Sequence, residues 1–255
     1  MPRYTYGDSA LAGDRLAVVA ELFGPASEAF LRRVAPRSPV LALDLGCGPG
    51  HTTRLVHRVV GATRTLGLDR SSAFVEIAAA SPAPRIVFLE HDATALPWPV
   101  ELPDVVYARL LLAHLPDPGA VVGAWCGAIA TGGRLLLDEV ESVATGNPVV
   151  RTYLDEVAIP VVASQGGRLI VGPTLHEMAD PDGAARVHDE VVTLRPAAAL
   201  TARMFLMNLN VLADSGEIAP RPDLSEGLAA LATDPSAPPV VWHMRQIAFE
   251  RQSAS

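Results

Sequence analysis

From Pro39 onward, short continuous apolar runs alternate with segments whose apolar residues recur at helical spacing. Runs such as Pro39-Val40-Leu41-Ala42-Leu43 are apolar at every position, as expected of central strands buried on both faces of a parallel sheet. This pattern predicts strands at Val40–Leu45, Thr65–Asp69, Arg85–His91, Val105–Ala108 and Arg134–Glu139. Helices fit between them at Thr52–Val60, Ser72–Ala80 and Ala120–Ala130, the last stopped by Thr131-Gly132-Gly133. The alternation implies a doubly wound α/β sheet, mostly parallel, with helices on both faces.

Outside this core the pattern is less regular. Gly13 to Val34 predicts two short helices broken at Gly24-Pro25. Residues Gly146 to Pro181 mix helical patterns, notably Val149 to Val162, with Gly-Gly and Gly-Pro breaks, as in a helical insertion that carries substrate contacts and forms an apolar lid. A strand over Ala185–Leu194, helices over Ala197–Leu212 and Leu224–Leu231, and a strand over Val240–Phe249 follow. The two strands pair as a hairpin and bring the sheet to seven. One domain then spans 1–255, with a helical cap at 1–38, a core at 39–141, an insertion at 146–183 and C-terminal strands with their own helices at 184–255.

The candidate chemistry begins where the first strand ends, in Leu43-Asp44-Leu45-Gly46-Cys47-Gly48-Pro49-Gly50. Ligands of open α/β sheets lie at the carboxyl ends of the strands. A dinucleotide fingerprint is G-x-G-x-x-G, but here the glycines fall at 46, 48 and 50 and the third fingerprint position is His51. Asp44, two residues before the first glycine, suits an ammonium or sulfonium better than an anionic pyrophosphate. At these residues the chain resembles the class I S-adenosylmethionine-dependent methyltransferases, whose first motif is D-x-G-x-G-x-G.

The resemblance extends along the strand ends. Asp69 closes Leu66-Gly67-Leu68-Asp69, where a carboxylate can accept from both ribose hydroxyls, and Arg70 follows it. Asp92, in Leu89-Glu90-His91-Asp92-Ala93, stands where the family sets an acid against the adenine amine, and the Ala93 amide then meets a ring nitrogen. A lone Asp after a strand is usually a cap or turn residue. Acids at three successive strand ends beside a glycine loop favour a site. The fourth strand leads into Ala108-Arg109-Leu110-Leu111-Leu112-Ala113-His114-Leu115-Pro116-Asp117, similar to the family's strand end followed by a His-Leu-x-Asp turn. By that resemblance Arg109 and Leu110 line the methionine part of the cofactor. His114 is either a base near the transferred methyl or a structural imidazole. Tyr4-Thr5-Tyr6-Gly7-Asp8-Ser9, with Arg15-Leu16, resembles an entry segment in which Tyr4 closes over the cofactor and Arg15 pairs with its carboxylate; a disordered tail and a surface arginine are the plain alternatives.

Composition narrows the function. The 20 basic residues are all arginines against 28 acids, a formal charge of -8, which argues against nucleic acid as partner. The fourth strand carries no Asn/Asp-Pro-Pro-aromatic sequence, which argues against amino methylation of DNA bases. Apolar residues make up 49% of the chain, yet no apolar run reaches the roughly 18 residues of a membrane helix, and the N-terminus has no apolar signal core. With Cys47 and Cys126 as the two cysteines, a structural disulfide is not expected, and the setting is read as cytoplasmic. No His, Asp and Glu cluster has metal-ligand spacing, so no metal is expected.

The resemblance implies S-adenosylmethionine as cofactor and O-, N- or C-methylation of a small molecule, with His114, His176, His188 and His243 as candidate bases where one is needed. Two other classes compete. A scaffold that binds the cofactor without methyl transfer, as a cyclase or regulatory module, shares the same loop. A nicotinamide-dependent oxidoreductase is disfavoured by His51 and Asp92. Nothing in the pattern sets whether the chain forms homo-oligomers.

Overall fold

The apolar runs become strands β1 (Leu41–Leu45), β2 (Arg64–Asp69), β3 (Ile86–Glu90), β4 (Val105–Arg109) and β5 (Arg134–Ala144), all paired in parallel. The computed structural model describes Gly7 and residues 10–253. In it β6 (Ala184–Leu194) and β7 (Val241–Arg251) extend the sheet, in the order β3-β2-β1-β4-β5-β7-β6. β7 is antiparallel to both neighbours, so β6 and β7 do pair as a hairpin-like unit. Every residue of β1 is buried, as a strand covered on both faces must be.

Strand periodicity divides the core in two. Leu41, Leu43, Leu45, Val106 and Leu135 face α4 (Pro118–Gly127) and α7 (Gly172–Glu177), meeting Val122, Trp125 and Leu175. Ala42, Val105, Tyr107 and Leu136 point the other way, toward Phe30, Leu31 and Val34 of α1 (Ala10–Val34) and Leu55 and Val56 of α2 (His51–Val60).

The helix α1 corrects the expected break at Gly24-Pro25: it runs through Pro25 without interruption. Proline removes one helical hydrogen bond. Val18, Val19, Leu22 and Phe23 before it and Phe30, Leu31 and Val34 after it are all buried, and this packing outweighs that loss. A smaller correction concerns α4, which ends at Gly127, before the expected Ala130; Gly132 serves the turn into β5 rather than capping the helix.

Beyond α3 (Ser72–Ala79), the irregular half folds into helices that build a third apolar cluster. The insertion supplies α5 (Pro148–Tyr153), a π turn over Leu154–Ala158, and α6 (Ile159–Ser164). Pro160 cannot donate a backbone hydrogen bond, and the widened turn sits just before it. Between β6 and β7 lie α8 (Ala198–Asp214) and α9 (Pro222–Ala232). Among the described residues no helix is long and apolar enough to cross a membrane.

Candidate functional site

The loop after β1 turns on glycines with positive φ, at +65° for Gly46, +51° for Gly48 and +85° for Gly50. At two of them close approach also excludes a side chain. A Cβ on Gly46 would lie 2.9 Å from Leu111, and one on Gly50 2.7 Å from the Phe88 ring. The Cys47 amide donates to the Leu68 carbonyl at 3.0 Å, drawing the loop beneath β2. The Gly48 amide donates to Asp69 Oδ2 at 2.8 Å, and the Ser71 amide to Asp69 Oδ1 at 2.9 Å. The loop and the carboxylate at the end of β2 are thus set against each other by direct bonds.

Above them, at the carboxyl ends of β1 to β4, opens a cavity of about 580 Å³. Gly46, Cys47, Gly48, Asp69 and Arg70 line it, as do Asp92 and Ala93 after β3. Partial burial pushes the Asp92 carboxyl up, but hydrogen bonds from the Thr94 amide (2.8 Å) and hydroxyl (2.7 Å) outweigh it and hold the group below its ordinary value. The Ala93 carbonyl accepts the indole N–H of Trp98 at 3.0 Å and of Trp125 at 2.9 Å, which fixes this turn on the core.

Arg109, Leu110 and His114 line the wall after β4, and Arg15 lines the side formed by α1. Leu110 has a φ of +54°, and its amide donates to the Asp138 carbonyl at 3.1 Å. Burial, with the charges of Arg15 and Arg70, lowers the His114 pKa to about 4, so its imidazole is neutral at pH 7 and a weak base. Cys47 is no nucleophile either, since burial and the charges of Asp44 and Asp69 raise its thiol well above the ordinary range.

Several expectations are corrected. Asp44 does not line the cavity. It is buried behind the loop, accepting the hydroxyls of Thr52 at 2.6 Å and Thr53 at 2.7 Å. Burial raises its pKa to about 6 against those bonds, so its role is to tie the loop to α2. Gly50 likewise shapes the loop from outside the lining. Tyr4 lies outside the described residues. His176, His188 and His243 are absent from the lining: His176 pairs with Asp189 at 2.8 Å, His188 packs against Phe30, and His243 meets Thr193 at 3.1 Å.

The sequence reading missed His51 and His91, which also line the cavity, and it named no residue of the wall from the second half of the chain, although it read 146–183 as a substrate-side lid. That wall includes Leu154, Leu169, Met204, Phe205, Asn208 and Trp242. One signal was present for Asn208, a polar residue at helical spacing among the apolar positions of Ala198–Asp214.

Residues 42–133 match the family model described as a methyltransferase domain. A trans-aconitate 2-methyltransferase of Methylobacterium radiotolerans is 33% identical over 170 residues. The fold is that of the class I methyltransferases, and over residues 42–133 the chain is similar to their methyltransferase domain. The match to that relative spans 63% of each chain, less than two thirds of the relative's length. An Escherichia coli trans-aconitate 2-methyltransferase is 38% identical over 103 residues, 40% of this chain and 39% of its own. Among solved structures, a Haemonchus contortus N-methyltransferase in complex with phosphomonomethylethanolamine and S-adenosylhomocysteine shares the fold, with a TM-score of 0.57 at 17% identity, covering 92% of this chain and 56% of that one. A cyclopropane synthase of Mycobacterium tuberculosis also shares it, with a TM-score of 0.55 at 15% identity, covering 91% of this chain and 84% of that one. Among the described residues, the charged lining comes from α1 and from the carboxyl ends of β2, β3 and β4 and the segments that follow them, while the later helices contribute mostly apolar surface.

Proposed function

We propose that this chain transfers a methyl group from S-adenosylmethionine to a small-molecule acceptor. The observation that carries this reading is the Gly48–Asp69 bond, which sets the glycine loop and an acid at the adjoining strand end on one cavity. The residues fit the cofactor. Asp69 accepts a backbone N–H at each oxygen, and it stands at the strand end where a carboxylate would hold ribose hydroxyls. Asp92 and Ala93 would hold the adenine edge. Arg15 and Arg109 would face the amino-acid end, and residues 39–141 would form the cofactor half of the domain.

When bound, the cofactor supplies a methyl group already activated on a sulfonium. What the protein must add is alignment and exclusion of water, which can account for several kcal/mol of barrier lowering. Leu16 and Val19 of α1 close one side of the cavity, and the helices of 146–183 and 184–255 close the other. His114 would orient an acceptor as a neutral donor or acceptor of a hydrogen bond, its basicity being too low for efficient proton removal. The trans-aconitate relatives and the net charge of -8 support a small molecule over nucleic acid. Cys47 and Cys126, both free and buried, support a cytoplasmic setting.

Titration calorimetry tests the reading. S-adenosylmethionine should bind and NADH should not, and Asp69→Ala should weaken binding by about 1 to 3 kcal/mol. An unchanged affinity in the variant, or binding of NADH alone, would overturn it.

A further inference from the structure

The two halves of the cavity differ in charge, and that difference bears on the acceptor. Among the described residues, the charged members of the lining, Arg15, Asp69, Arg70, Asp92, Arg109 and Asp117, stand on α1 or at and beyond the carboxyl ends of β2, β3 and β4. The wall from the later helices and β7 includes Leu154, Ala158, Leu169, Met204, Phe205 and Trp242, and its polar members are Gln165 and Asn208. A polycarboxylate placed there would shed its water without meeting a cation.

Asn208 is the informative residue. It lies on α8 one turn beyond Met204 and Phe205, so the three present one strip to the cavity. It is 5% exposed, and its buried Oδ1 has no hydrogen-bond partner among the described residues. Folding leaves such an atom unpaired only at a cost, and native proteins seldom do so without a use for it. Its surroundings are rigid: Phe205 stacks on Tyr153 with centroids 4.3 Å apart, and Trp242 meets Phe23 edge-on at 5.2 Å. The Trp242 indole N–H is already given to Thr201, at 3.3 Å. Asn208 is therefore an unpaired polar side chain set into an apolar wall.

We infer that the acceptor is an uncharged molecule with an aromatic body and a hydroxyl or similar donor, the body lying on Phe205, Met204 and Trp242 and the donor bonded to Asn208 Oδ1. This makes Asn208 a specificity residue and sets the chain apart from relatives named for trans-aconitate, a polycarboxylate. The inference rests on the cavity being the methyl-transfer site.

The test separates the two. S-adenosylhomocysteine is first titrated into wild type and Asn208→Leu without any acceptor, and the loaded proteins are then titrated with 2-naphthol and with trans-aconitate. Loaded wild type should bind 2-naphthol at least about tenfold more tightly than trans-aconitate. The Leu variant should keep its S-adenosylhomocysteine affinity and lose about tenfold for 2-naphthol, the scale of one buried hydrogen bond. Its Tm should be equal or higher, because an unpaired polar group has been removed. The inference is overturned if trans-aconitate binds as tightly as 2-naphthol, if the variant binds 2-naphthol like wild type, or if the variant melts well below wild type, which would make Asn208 a residue of the fold. Failure of S-adenosylhomocysteine to bind wild type would instead sink the cofactor reading, and this inference with it.

Discussion

Glu139 on β5 accepts the amides of Leu111 and Leu112 through Oε1, at 2.8 and 2.9 Å, and so pins the segment after β4 that lines the cavity. Its other oxygen is buried with no hydrogen-bond partner among the described residues. Burial drives its pKa up to about 8 against those two bonds, and the neighbouring Asp138 charge adds to the rise. A carboxyl raised in the folded state contributes stability that is fully present below its unfolded value, near 4.5, and is lost as pH climbs through about 8. Glu139→Gln keeps an acceptor for both amides and removes the titration. The Tm of the Gln variant minus that of wild type should therefore grow between pH 5 and pH 9. A difference independent of pH would show that Glu139 does not titrate in this range.

At the scale of elements, Gly67 on β2 marks a close approach between strand, glycine loop and helix. A Cβ there would meet Thr53 Oγ1 at 2.6 Å, the Phe88 ring at 2.8 Å and Cys47 Cβ at 2.9 Å. Thr53 cannot yield without giving up its bond to Asp44. Gly67→Ala should thus cost about 1 to 3 kcal/mol in urea unfolding, the usual range for overpacking; an unchanged midpoint would mean that the loop gives way freely. The same contacts explain what the chain's pattern made legible. Strands β1 to β5 and helices α2 to α4 each carry their own periodicity, and the acids follow strand ends, so their shared cavity could be anticipated. Asp44 could not be placed the same way, because whether a buried carboxyl faces a ligand or two threonines depends on the rotation of the strand. Pro25 reads locally as a break, and only the burial of apolar residues on both sides of it keeps α1 whole. His176, His188 and His243 were equivalent candidates with His114 in the sequence; of the four, the folded chain brings only His114 to the cavity.

At the scale of the whole molecule, α1 is tied to β4, β5 and β7 at one point, and Asp138 is where it is fastened. The Ser27 hydroxyl of α1 donates to Asp138 Oδ2 at 2.7 Å, the Tyr107 phenol of β4 to the same oxygen at 3.1 Å, and Gln246 of β7 to Oδ1 at 3.3 Å. Arg109, a residue of the cavity lining, donates to Ser27 Oγ at 3.2 Å. The carboxyl is wholly buried, and burial raises its pKa against these bonds, so each lost donor leaves its charge less compensated. Ser27→Ala should lower unfolding stability by about 1 to 3 kcal/mol. Glu28, the next residue, binds Arg32 and Arg58 at the surface, where ion pairs contribute little. Comparing Ser27→Ala with Glu28→Ala by urea denaturation isolates the buried fastening from the helix's general tolerance to alanine. A large loss in the first and a small one in the second is the expected result; equal losses would mean that the apolar stripe alone holds α1 across the sheet.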